Sequence, residues 1–115
     1  MSSDEVRATI REFKKTVNMS PHQLTTWLAK KESKEVGSKS SDGSESVGHQ
    51  SGRRIVELLG KKEAEFSDDD VHHAKKVLGY IHRHLAQRPN GDITETHWRY
   101  SLMNWGHDPL KNKQK

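Results

Sequence analysis

Val71, Ala74, Val77, Leu78, Ile81 and Leu85 form one apolar stripe at helical spacing, and Pro89 with Asn90-Gly91 stops it. Ser67 followed by three aspartates gives that stripe a capped start, because a serine hydroxyl and nearby carboxylates satisfy the free amides and dipole of a first turn. The sequence therefore predicts a long spine helix over 68–87. After the turn, Trp98, Leu102 and Trp105 fall on one face at i, i+4 and i+7, while Tyr100 and Met103 fall on another. A helix over 94–105, capped by Asp92 or Thr94 and closed by Gly106, follows from that spacing. Two apolar helices joined by so tight a turn must fold back on each other as a hairpin.

The remaining elements are read outward from this hairpin. Val6, Ile10, Phe13 and Val17 recur at four, three and four residues, which predicts a helix over 4–16. Ser20-Pro21-His22-Gln23 is a capping box with proline at the first helical position, and Leu24, Trp27 and Leu28 follow it, giving a helix over 21–31. Ser51 can cap a fourth helix over 51–61 through Ile55, Val56, Leu58 and Leu59, although a start nearer Ser46 is also compatible. The expected fold is all-α, with five helices in a single domain spanning 1–115. Residues 34–46 are rich in Ser, Gly and charge, too polar to offset the entropy of ordering, and read as a mobile, disordered loop. Residues 111–115 read as a frayed tail.

Composition bounds the function classes. With 115 residues and 30% hydrophobic content the chain can bury one modest core. The absence of cysteine excludes disulfides, a thiol nucleophile and thiolate zinc sites. No signal peptide or membrane-spanning apolar run is visible, so an intracellular, soluble protein is expected: cytoplasmic from a bacterial source, nuclear or cytoplasmic from a fungal one. The formal charge is +4, but no block is strongly basic except 111–115. No nucleophile elbow or paired-carboxylate site is present, so no enzyme activity is expected. His72 and His73 diverge around a helix, as do His82 and His84, so no metal and no cofactor are expected; a zinc site would need His84 to converge with His97 or His107.

Basic residues offer the leading functional reading. Ser51-Gly52-Arg53-Arg54 at a helix start would present amides and guanidinium groups to an anion. Lys61 and Lys62 add cations at the end of the same helix. Lys76 and Arg83 share the exposed side of the spine helix. Together these eight residues suggest contacts with the phosphates of double-stranded DNA. The competing reading is structural: Gly48 and Gly52 allow close helix packing while the arginines pair with acidic neighbours. A protein partner is the alternative function, using the aromatic and histidine surface of Tyr80, His84, Tyr100 and His107. The polar set Tyr80, His84, Arg88, Asn104, His107 and Asp108 exceeds what a core requires, and is either a clasp for the C-terminus or a site. Oligomeric state is left open.

Ser46-Val47-Gly48-His49-Gln50-Ser51-Gly52-Arg53-Arg54, Tyr80-Ile81-His82-Arg83-His84-Leu85-Ala86-Gln87-Arg88-Pro89 and Trp98-Arg99-Tyr100-Ser101-Leu102-Met103-Asn104-Trp105-Gly106-His107-Asp108-Pro109 resemble the signature blocks of a known family. Its members are small proteins of unknown function from bacteria, notably actinobacteria, and from fungi. Val17-Asn18-Met19 with Leu24 and Trp27-Leu28 is similar to its N-terminal block. The family is loosely described as DNA-binding, and the resemblance implies that association but no functional residue.

Overall fold

The computed structural model describes residues 3–36 and 47–111. Among these residues the secondary structure is helical, with six α-helices where five were expected. They are α1 (Ser3–Thr16), α2 (Pro21–Leu28), α3 (Lys31–Glu35), α4 (Val47–Leu59), α5 (Asp68–Leu85) and α6 (His97–Asn104), with a 3-10 turn at Glu63–Glu65.

The caps explain where the best-placed helices start. Ser20 accepts the Gln23 amide at 3.1 Å, and the Gln23 side chain accepts the Ser20 amide at 3.0 Å. This reciprocal box fixes the start of an eight-residue helix too short to stand alone in water. Ser67 and Asp70 form the same box at the start of α5. Thr96, not Asp92 or Thr94, caps α6 by accepting the Arg99 amide, so that helix begins three residues later than expected. Asp92 instead binds the backbone amide and hydroxyl of Thr94, holding the turn before it.

Two departures from the sequence reading reshape the middle of the chain. The second helix ends at Leu28, and a new short helix, α3, runs from the last residue of the expected second helix into the first two residues of the expected loop. Ser33 and Val36 are buried there, and Ser33 is hydrogen-bonded to Asn104 of α6. The rest of the expected loop, 37–46, lies outside the described residues. The fourth helix is described from Val47, in keeping with the earlier of its two expected starts and not with a cap at Ser51, so Ser51 and Gly52 lie within the helix. Of the expected tail, 112–115 also lies outside the described residues. Lys111 is tied down by hydrogen bonds to the Asn18 carbonyl and the Gln23 side chain, both at 2.7 Å.

One core joins all the long elements. α1 lies along α5, burying Ile10 and Phe13, while α2 packs against α4. Phe13, Leu24, Ile55, Leu58, Val77, Ile81 and Leu102 are almost completely removed from water. Each such side chain contributes about 1.5–3 kcal/mol of transfer free energy on burial. α6 is the central pin: it turns back on α5 across Asn90-Gly91 and also touches α2, α3 and α4. Gly91 and Gly106 have φ of +85° and +84°, the left-handed conformation expected of Gly106 at the helix end. No helix among the described residues is long and apolar enough to cross a membrane.

Candidate functional site

Asn104 shows how the polar residues of α6 are used. It is 1% exposed, and its Oδ1 accepts from the Trp27 indole at 2.7 Å and from the Ser33 hydroxyl at 2.5 Å. Its amide donates to the Ser33 carbonyl at 3.0 Å. One side chain thus joins α2, α3 and α6, and Ser33 is the member that composition concealed.

The C-terminal polar set divides into a clasp and a stack. Asn18 and Asp108 exchange two hydrogen bonds, at 3.0 and 2.8 Å, and Arg99 grips the Asp108 carboxylate with Nε and Nη2 at 3.1 and 3.0 Å. His107 is buried and donates from Nδ1 to the Thr16 carbonyl at 2.8 Å. These residues fasten the C-terminus to the α1–α2 link. The stack runs along α5. Trp105 and Tyr80 are parallel at 4.2 Å, Tyr80 and His84 at 5.2 Å, and His84 and Trp98 at 5.7 Å, with the Arg88 guanidinium 5.6 Å from the Trp98 ring. His84 Nε2 donates to the Trp98 carbonyl at 3.0 Å, and the Trp98 indole donates to the His84 carbonyl at 2.8 Å. Burial holds His84 below the usual histidine pKa and raises that of Tyr80. Tyr100 lies apart, tilted against Trp27 at 5.3 Å. Tyr80, His84, Tyr100 and His107 therefore do not make one exposed surface: two are in the stack, one packs on α2 and one is buried.

The eight basic-site candidates separate in the same way. Ser51 is buried and shares a hydrogen bond with His73 Nε2 at 3.0 Å. Gly52 is buried where a Cβ would lie 2.5 Å from the Asn104 carbonyl oxygen and 2.7 Å from Leu28 Cδ2. The close-packing reading of Gly52 is the one the geometry meets. Arg54 and Lys61 both pair with the buried Asp70 carboxylate, at 3.2 and 2.6 Å. The Lys61 hydrogen bond, with the Ser67 amide, holds that carboxyl far below its ordinary range. Arg53 and Lys62 are exposed on the surface. Lys76 and Arg83 are brought together at a cavity.

That cavity is a cleft of about 310 Å³ between α4, α5 and α6, lined by Val47, Gly48, Lys76, Tyr80, Arg83, Ser101, Asn104 and Trp105. A Cβ at Gly79 would lie 3.1 Å from Arg83 Nη1. The missing side chain there lets the guanidinium fold back along α5 towards Lys76. Neither cation is paired with a described carboxylate, and the described lining residues include no acid. Burial, reinforced by the charges of Arg54 and Lys76, pushes nearby His73 down to about 4. Among the described residues no cluster of three or more His, Asp or Glu is arranged to hold a metal.

Residues 12–103 match the family described as protein of unknown function DUF3140, and the chain belongs to that family. Neither the curated proteins nor the solved structures contain a match to the chain.

Proposed function

We propose that this member of the family is a small DNA-binding protein that works as a binding module inside the cell, not as an enzyme. The observation that carries the reading is the convergence of Lys76 and Arg83 on one cleft whose described lining includes no acid, with Val47 and Gly48 of α4 at its rim. Two cations that no described carboxylate neutralises suit phosphate oxygens. Arg53 and Lys62 are further exposed cations. Arg54 and Lys61 are excluded from the contact set, because withdrawing either from Asp70 would leave a buried carboxylate undercompensated.

The reading also specifies what is recognised. Tyr80 carries a ring on each face, Trp105 on one and His84 on the other, so no base can stack on it. Contact through phosphates without base stacking gives affinity with little sequence preference. Fluorescence-anisotropy titration of a labelled duplex tests this. Wild type binds at low salt, and Lys76→Ala/Arg83→Ala binds at least about tenfold more weakly, consistent with the loss of two charge-assisted contacts. Equal affinities for the two proteins, or no binding by folded wild type, would overturn it.

A further inference from the structure

Trp105 is only 5% exposed, yet its indole N–H has no hydrogen-bond partner among the described residues. The buried indole of Trp27, by contrast, is satisfied by Asn104. No fully enclosed side-chain donor is left unpaired among the described residues, so the Trp105 N–H keeps a small opening to solvent. Trp105 lines the cleft, and its Nε1 lies 3.0 Å from where a Cβ on Gly48 would stand. Glycine at 48 leaves a notch beside the indole donor. A donor that only a small opening connects to water is poorly hydrated, and an acceptor that reaches it through the notch gains a hydrogen bond at little desolvation cost.

We propose that the cleft is a phosphate-monoester site, in which a terminal phosphate accepts from the Trp105 N–H at the floor and pairs with Lys76 and Arg83 at the lip. This rests on taking Lys76 and Arg83 as the phosphate contacts of the protein, and it names the kind of phosphate they hold. A bridging phosphodiester on a duplex carries a sugar on both sides and is presented on a convex surface. A terminal phosphate has three free oxygens and a single substituent, so it can enter a recess and meet donors on several sides. The cleft volume of about 310 Å³ is at the small end of ligand sites, room for a phosphate with little more than its sugar. Two cations with no described carboxylate beside them suit a dianion better than a monoanion. Because both faces of Tyr80 are covered, the group attached to the phosphate is not read by stacking. The phosphate could come from the 5′ end of a nucleic-acid strand or from a free phosphate ester.

Isothermal titration calorimetry of the full chain separates these sources, using a 5′-phosphorylated oligonucleotide, its 5′-hydroxyl counterpart and glucose 6-phosphate. The phosphorylated strand is expected to bind about tenfold more tightly than the hydroxyl strand, the scale of one added set of charge-assisted hydrogen bonds. Trp105→Phe keeps a ring against Tyr80 but removes the N–H, and is expected to lose most of that preference with an unchanged circular-dichroism spectrum. Lys76→Ala, at an exposed position, gives the same loss should the tryptophan variant fail to fold. Glucose 6-phosphate binding as tightly as the phosphorylated strand also supports the site and assigns it to a free ester. Equal affinity for the two strands with no binding of glucose 6-phosphate overturns it, as does a preference unchanged in Lys76→Ala. Duplex binding that persists without any end preference would sink the monoester site alone. Monoester binding without duplex binding would sink the duplex reading alone.

Discussion

Gly52 carries more structural weight than its place in the sequence suggests. Its neighbours are the Asn104 carbonyl and the Leu28 side chain, and the carbonyl is backbone that cannot swing away. Gly52→Ala is therefore expected to destabilise the protein by about 1–3 kcal/mol through overpacking, despite the better helix propensity of alanine. Chemical denaturation checks it, and an unchanged midpoint would contradict the packing account. Asn104→Ala removes the acceptor of the Trp27 indole and of Ser33, and should cost roughly 2–4 kcal/mol by leaving buried donors unpaired. Urea midpoints read that loss as well. At this scale the sequence identified the right residues more often than their roles. Asn104, His107 and Asp108 were visible as polar groups beyond the needs of a core. Ser33 was not, because its partner is far away in sequence and the surrounding composition is that of a loop.

At the level of elements, the boundaries with local chemistry were legible. Ser20 and Ser67 mark the starts of α2 and α5 through contacts within four residues. α3 was missed because it answers to distant partners, and local chemistry left the start of α4 open between Ser46 and Ser51. Val36 and Ser33 are held by burial, and Gly48 is set against Trp105. The α4–α5 contact also makes stability depend on pH. His73 is held neutral between Ser51, Arg54 and Lys76, with only Asp70 favouring its charge, and its pKa falls from 6.5 to about 4. A pKa depressed in the folded state means that the unfolded chain takes up the proton first. Stability is thus full above about pH 6.5 and falls as pH drops towards 4. For a half-exposed ring screened by solvent, the loss should be about 1–2 kcal/mol. His84, also depressed by burial, acts in the same direction. Thermal melting at pH 7.5 and 5 measures the combined loss, and His73→Gln is expected to shrink the difference. A wild-type melting temperature that did not fall at the lower pH would refute the assignment.

Across the whole molecule, folding redistributes the charge that the sequence only counted. Eight residues read as phosphate contacts become two buried packing positions, two partners of Asp70, two exposed cations and the Lys76/Arg83 pair at the cleft. That partition was not legible in the chain order, because Asp70 first reads as part of a helix cap and Lys76 and Arg83 meet Trp105 only through the α6 turn. The central claim is that this pair contacts phosphate, and the salt dependence of duplex affinity tests it most directly. Each phosphate neutralised contributes a slope of about −0.9 in log affinity against log salt, so Lys76→Ala/Arg83→Ala should flatten the wild-type slope by roughly 1.8. A double variant whose slope and affinity match wild type would contradict the account.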